Sequence, residues 1–149
     1  MRLKNTSRYP DDAVRQLVTI ALRGIDARRL AVNVKNSRRP YRGRTYATVP
    51  SISPISAEPD MDRLVTIGIG APECFPLDTA IGKRGALHGY GGKRSPIITM
   101  NDWREALVAV AAHEGRHVWQ LQHEAPGSEI DAERFAAARL DEYRALDVR

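Results

Sequence analysis

The apolar positions of this chain recur at helical spacing in three stretches. The first begins with Asp11 and Asp12, placed where acidic side chains offset the helix dipole. The second follows Asn101-Asp102, which can cap a helix, and the third follows Ser128, which opens a capping box. We expect helices over about 11–24, 103–121 and 128–146.

Shorter stretches alternate between apolar and polar residues or are rich in β-branched side chains, which is typical of strands. The clearest is Leu64 to Ile69, with Val65, Ile67 and Ile69 on one face. Weaker patterns predict strands over 30–35, 44–49 and 97–100, and the segments 50–60 and 70–94 are expected to be loops. This order of elements predicts a single α+β domain over residues 1–149 with a small mixed sheet.

The composition is that of a compact globular chain, with 149 residues of which 42% are hydrophobic and 28% charged. The longest apolar run, 106–112, is too short to span a bilayer, and residues 1–10 lack the apolar segment of an export signal. The single cysteine, Cys74, excludes an intramolecular disulfide. We therefore expect a cytoplasmic protein with no membrane partner.

Positive charge is concentrated in the N-terminal third. Residues 1–50 hold 12 Lys and Arg against 3 Asp, a net charge of +9, whereas residues 51–149 hold 11 against 15 Asp and Glu, a net charge of −4. The basic side chains that could bind phosphates, with a tyrosine to stack on a base, are Lys35, Arg38, Arg39, Arg42 and Arg44, and Tyr41. Nucleic acid is therefore a candidate partner, and a solvated basic surface is the other interpretation.

The second predicted helix contains His113-Glu114-Gly115-Arg116-His117, an H-E-x-x-H motif. Residues four apart lie on the same helical face, so both imidazoles can reach one Zn²⁺ ion at about 2.0–2.1 Å. Glu114 stands between them, where it can accept a proton from a water molecule beside the metal. The motif predicts a hydrolytic zinc site. A zinc site without catalytic function and a solvated helix with two histidines are the alternatives.

Together with the segment 129–136 (Glu-Ile-Asp-Ala-Glu-Arg-Phe-Ala), the motif resembles the zincin metallopeptidases, specifically the gluzincin branch. The resemblance covers about residues 103–146. It implies a zincin-like fold with an N-terminal helix, a small sheet, the active-site helix and a C-terminal helix that carries the third zinc ligand. It also implies a peptide or protein substrate that pairs with the strand nearest the active-site helix.

The resemblance assigns roles to two acidic residues of the last helix. Glu129 matches the third zinc ligand, and Glu133 matches an acidic residue that supports a histidine ligand from outside the metal's own shell. This chain departs from the family in having Glu133 where Asp is usual. It also has only 11 residues between His117 and Glu129, a short separation for this branch.

Two other residues compete with Glu129 for the third ligand position. His123 lies six residues after His117, the spacing of metzincins, although Gln120 stands where that family has the glycine of a sharp turn. Cys74 matches the upstream cysteine ligand of a peptide deformylase, but the glycine-rich and E-G-C-L-S segments of that enzyme are absent. Glu129 is preferred, and both alternatives stay open at this point.

The glycine-rich segment before the active-site helix offers two more candidates. His88 and Tyr90 could stabilise a developing oxyanion if this loop folds over the zinc ion. An exposed, flexible loop is the alternative interpretation. No nucleotide-binding loop is expected, because Gly68-Ile69-Gly70 is not followed by a helix pattern.

Overall fold

The computed structural model describes residues 1–49, 60–79 and 96–146. In these ranges the chain forms the helices α1 (Asp11–Ala21), α2 (Trp103–Gln122) and α3 (Glu129–Ala145). The strands are β1 (Arg2–Asn5), β2 (Leu30–Asn36), β3 (Tyr41–Tyr46), β4 (Arg63–Ile69), β5 (Leu77–Thr79) and β6 (Ile98–Met100). A 3-10 helix spans Pro72–Cys74. The prediction of a small α+β fold is confirmed.

Four strands form the main sheet, in the order β1-β2-β4-β3. β1, β2 and β4 run parallel and β3 is antiparallel to β4, so the sheet is mixed, as expected. β5 and β6 form a separate antiparallel pair. β3 lies at one end of the main sheet, and β4 is its only partner among the described strands.

The helices cover one face of this sheet. Alternate residues of β2 and β4 face them and join one hydrophobic core with side chains of all three helices: Val32, Val34, Val65, Ile67 and Ile69. Ala31 and Leu64 belong to the other face, where they form a small separate cluster. The shared face that the sequence predicts for β4 is therefore confirmed, and it is the face that supports α2.

α2 is the centre of the helical layer. It packs against α1, α3, β3 and β4, and all its residues from 105 to 115 are buried. Several of these are alanines, whose small side chains let neighbouring elements approach closely: Ala106, Ala109, Ala111 and Ala112. The helix that carries the H-E-x-x-H motif is therefore enclosed on most of its circumference.

Side-chain caps start the two C-terminal helices. Asp102 accepts a hydrogen bond from the backbone N–H of Glu105 at 2.9 Å, and Ser128 accepts one from the N–H of Asp131 at 3.1 Å. The predicted capping box is only half formed, because the Asp131 carboxylate binds Arg116 instead of the Ser128 N–H. A full capping box uses the longer Glu or Gln at this position, so the shorter Asp leaves that N–H to another partner.

Some boundaries differ from the expectation. The segment 70–94 is not a single loop, since it contains the 3-10 helix and β5. β5 depends on pairing with β6, whose register joins Leu77 to Met100, and no local pattern indicates a contact so distant in sequence. The short polar β1 is not predicted either, and β3 begins at Tyr41 rather than at 44. None of the described helices has the length and hydropathy needed to cross a membrane.

Candidate metal centre

His113 and His117 lie one turn apart on α2, and both face the first residue of α3, Glu129. Their Nε2 atoms are 3.3 Å apart. Glu129 Oε2 is 3.2 Å from His113 Nε2, and Glu129 Oε1 is 2.9 Å from His117 Nε2. In the described part of the chain, no other group of three or more His, Cys, Asp and Glu side chains is close enough to share a metal ion.

The spacing of the two histidine nitrogens fits zinc. A tetrahedral zinc ion with bonds of about 2.0–2.1 Å separates its ligand atoms by about 3.3 Å, and the two Nε2 atoms are 3.3 Å apart. The Glu129 carboxylate lies against both nitrogens, with Oε1 2.9 Å from His117 and Oε2 3.2 Å from His113. Two imidazoles and one carboxylate also form a donor set of catalytic zinc sites, which keep the fourth position open. The side chain of Glu129 is 39% exposed, so the donor group has access to solvent.

Glu129 and His117 stabilise each other in their charged forms. Hydrogen bonds to His113 and His117 hold the pKa of Glu129 well below its usual range. Burial lowers the pKa of His117, but hydrogen bonds to Glu129 and Gln120 outweigh this effect and raise the pKa to about 9. A cation that binds here must therefore displace a proton from His117.

Glu114 lies beside the donor group and against β3. It is 6% exposed, with Oε2 3.7 Å from His113 Nε2. The Thr45 hydroxyl is 2.9 Å from Glu114 Oε1 and can donate to it. A Cβ at Gly43 would lie 2.8 Å from Glu114 Cγ, so glycine is what lets β3 approach this closely. Burial raises the pKa of Glu114, and the neighbouring His113, His117 and Thr45 oppose that rise.

The two central residues of the motif join α2 to its neighbours. Gly115 faces the segment that follows α1, where an added Cβ would lie 2.5 Å from Leu22 Cδ2 and 2.9 Å from Ile25 Cδ1. Arg116 faces α3 and binds the Asp131 carboxylate through Nε at 2.7 Å and Nη2 at 3.3 Å. Each residue of the motif therefore serves either the donor group or the packing that holds it.

Gln120 lies behind His117, one turn further along α2, and is 3% exposed. Its Oε1 is 2.8 Å from His117 Nδ1, and its Nε2 donates to the Ser128 carbonyl at 3.1 Å and to Asp131 Oδ2 at 3.0 Å. In the sequence, Gln120 stands out only for replacing a metzincin glycine. Its spacing of three residues from His117, which puts both on one helical face, is the signal that could have identified it.

Glu133 lies one turn after Glu129 on α3 and is fully buried. Neither of its carboxylate oxygens has a hydrogen-bond partner among the described residues, and the same holds for Nδ1 of His113. An unpartnered buried carboxylate is costly, and a histidine that binds a metal commonly donates its other N–H to a carboxylate. Support of a histidine ligand by Glu133, which the resemblance implies, stays a prediction.

The rival ligands lie apart from the donor group. His123 is exposed at the end of α2, with its ring stacked on Trp119 at 4.2 Å and its Nδ1 2.8 Å from the Trp119 carbonyl oxygen. Cys74 is half-buried on the 3-10 helix. Neither joins the group formed by the two motif histidines and Glu129. His88 and Tyr90 lie outside the described residues.

Comparisons of the chain with protein-family models, curated proteins and solved structures find no match. The likeness to gluzincins therefore depends on residues 103–146 of this chain alone. What supports a function for this chain is the geometry of His113, His117, Glu129 and Glu114 and of the elements that hold them.

Proposed function

We propose that this chain is a zinc-dependent peptidase. The observation that supports this most directly is the convergence of His113 Nε2, His117 Nε2 and the Glu129 carboxylate beside the buried Glu114. When bound, zinc acidifies a water molecule and polarises a carbonyl group. The side chains of the protein then have to hold the substrate and transfer protons.

Glu114 acts first as general base and then as general acid. Thr45 holds Oε1, which leaves Oε2, on the side of His113, to accept a proton from the attacking water. The same carboxyl group then donates this proton to the leaving amine. Because burial raises the pKa of Glu114, the protonated form needed between the two steps is stabilised.

β3 provides a place for an extended peptide. It is the terminal strand of the sheet, and its residues Gly43 and Thr45 contact Glu114. Among the described strands only β4 pairs with it, and an extended peptide can add to the outer side of an edge strand by β-augmentation. A peptide bound in this way passes next to the general base.

The test is zinc content and cleavage of a mixed peptide pool by the wild type, Glu114→Gln and Glu129→Gln. Glu114→Gln should bind zinc normally and lose activity by about 10²–10⁴-fold, the usual contribution of a general base. Glu129→Gln should bind zinc more weakly. Glu73→Gln, on the exposed side of the 3-10 helix, is the matched control and should behave as wild type. A wild type that binds no zinc, or a fully active Glu114→Gln variant, would contradict the proposal.

A second candidate function is supported by the face of the sheet that the helices leave uncovered. The strand registers place Lys4 and Arg44 in one cross-strand row, with Lys35 and Arg42 in the next. These four side chains and Arg2 are exposed, and the strand residues on this face include no Asp or Glu. We call these five residues the basic sheet face and propose that it binds the phosphates of single-stranded nucleic acid.

The tyrosine that the sequence suggests for stacking on a base, Tyr41, is not on this face. Tyr41 faces the helices and its hydroxyl is 2.9 Å from Thr79 Oγ1, so it lies away from the basic sheet face. Tyr46 is on the correct side, with the Arg44 guanidinium 4.8 Å from its ring. Arg38 and Arg39 lie in the connection between β2 and β3.

Salt dependence of oligonucleotide binding tests this second function. Replacing Lys35, Arg42 and Arg44 by Ala should reduce the slope of log K against log salt by about 2, since each lost phosphate contact contributes about 0.7 on single strands. Replacing the exposed Arg104 and Arg134, which lie on helices, is the control and should leave the slope unchanged. Absence of binding at low salt, or an equal effect in the control, would exclude the basic sheet face as a nucleic-acid surface.

A further inference from the structure

The geometry points to Gln120 as the positioning residue of the zinc site: one buried amide sets the tautomer of His117 and fixes the start of the helix that carries Glu129. This inference rests on the proposed zinc site. Gln120 is not a member of the donor group, and it acts through the contacts it makes with His117, Ser128 and Asp131.

The partners of Gln120 determine which way its amide faces. Nε2 lies against two acceptors, the Ser128 carbonyl at 3.1 Å and Asp131 Oδ2 at 3.0 Å, so this end must be the NH₂ group. Oε1 then faces His117 Nδ1 at 2.8 Å, and a carbonyl oxygen can only accept. Nδ1 therefore carries a hydrogen, and in the neutral imidazole the lone pair is on Nε2, the atom that faces Glu129.

The same amide ties the start of α3 to α2. Ser128 is the N-cap of α3 and immediately precedes Glu129, and Gln120 binds its carbonyl at 3.1 Å and accepts from its N–H at 3.4 Å. This contact replaces the missing half of the capping box. Arg116 also binds Asp131, through the same Oδ2 that Gln120 binds, and its guanidinium lies 3.8 Å from the Trp119 ring centroid. Contacts made by side chains of α2 therefore fix the position of Glu129.

Replacing Gln120 by Leu keeps the size of the side chain but removes these polar contacts. His117 Nδ1 then loses its acceptor, and the cap of α3 loses both of its contacts to α2. Loss of a partner that orients a ligand typically weakens metal binding by about 10–100-fold. We expect a loss in this range for Gln120→Leu.

The experiment measures zinc affinity by competition with a chelator at pH 7.5, together with the ¹⁵N–¹H signal of His117 Nδ1 in the zinc-loaded protein. Gln120→Leu should weaken zinc binding and lose the hydrogen-bonded Nδ1–H signal. Gln122→Leu is the matched control, because Gln122 is on the same helix and its side chain donates to the Asp26 carbonyl, away from the site. It should match wild type in both measurements.

A charge exchange keeps the test informative if Gln120→Leu does not fold. In the variant Gln120→Glu, one carboxylate oxygen would still accept a hydrogen bond from His117 Nδ1, but the second oxygen would face the Asp131 carboxylate. Asp131→Asn supplies a donor there, so this substitution should strengthen zinc binding in the Gln120→Glu background and weaken it in wild type. Such a reversal of sign is a direct interaction between the two side chains and is not expected of a merely structural glutamine.

The outcomes separate this inference from the proposed function. A wild type that binds no zinc overturns the zinc site and the role of Gln120 with it. A wild type that binds zinc, with equal affinity in Gln120→Leu and no sign reversal at Asp131, overturns the role of Gln120 and leaves the zinc site in place.

Discussion

Gly43 determines how closely β3 approaches Glu114, the proposed general base, and the substitution Gly43→Ala tests this contact. The added Cβ would lie 2.8 Å from Glu114 Cγ, 2.9 Å from Glu114 Oε2 and 2.9 Å from Val110 Cγ1. Each distance is at least about 0.5 Å shorter than an ordinary carbon contact. Val110 is fully buried and has little room to move, so the Glu114 side chain must rotate or β3 must retreat.

The effect on stability should be modest and the effect on catalysis larger. Overpacking by one methyl group costs about 1–3 kcal/mol, and replacing Gly by Ala inside a strand returns about 0.5–1 kcal/mol. We expect a net loss of about 0.5–2 kcal/mol in the free energy of unfolding. A displaced Glu114 loses its hydrogen bond to Thr45 and the position from which it is proposed to act as general base, which should lower kcat by about tenfold or more.

Three measurements on Gly43→Ala distinguish these effects: peptide cleavage, zinc affinity and urea unfolding. Zinc affinity should be unchanged, because the nearest atoms to the new methyl group belong to Glu114 and Val110 and not to the donor residues. Gly127→Ala is the control, since an added Cβ there has nothing within 4 Å. Undiminished kcat in Gly43→Ala would refute the role assigned to this contact, as would a loss of zinc binding that accounts for the lost activity.

Four further predictions concern protons and packing. With the pKa of His117 at about 9, zinc binding at pH 7.5 should release about one proton. Calorimetry in buffers of different ionisation enthalpy measures this release, and zero release would contradict the prediction. Because the pKa of His117 is raised above the usual 6.5, its proton stabilises the metal-free fold, fully below pH 6.5 and less as the pH rises through about 9. Urea titrations should show the free energy of unfolding falling over this range. A free energy of unfolding that does not change with pH there would argue against the shift. Gly115→Ala should cost about 1–3 kcal/mol in urea unfolding, because its methyl group would lie 2.5 Å from Leu22 Cδ2. An unchanged midpoint would show that Leu22 can move away without cost. Arg139→Met should cost about 2–4 kcal/mol in the same assay, since the buried guanidinium donates to three backbone carbonyls at the end of α1; a loss below about 0.5 kcal/mol would mean that water replaces it.

The helices were the most predictable part of the fold, because their signals are local. Asp102 and Ser128 cap α2 and α3 where the sequence places them. Short strands were harder, since a strand of three or four residues depends on its partner more than on its own pattern. β1 pairs with β2 across the whole of α1, and β5 pairs with a strand beyond the glycine-rich segment.

The candidate site also has parts that local sequence signals predict and parts that depend on contacts between distant segments. The motif itself, His113 to His117, follows from spacing on one helix, and Glu129 came from the resemblance. Gly43 and Thr45 could not be predicted to touch Glu114, because they come from a strand far upstream and only the antiparallel placement of β3 brings them to α2. Gln120 was within reach of a spacing argument, but its second set of partners depends on how α3 docks.

The terminal position of β3 also affects how copies of the protein meet at high concentration. An unpaired strand edge can pair with the same edge of another copy, which is how edge-to-edge aggregation starts. Antiparallel pairing of two β3 strands about Gly43 would place Arg42 of one copy opposite Arg44 of the other, and like charges in register repel. In that register the arginines that flank Gly43 therefore oppose pairing of the edge with a second copy.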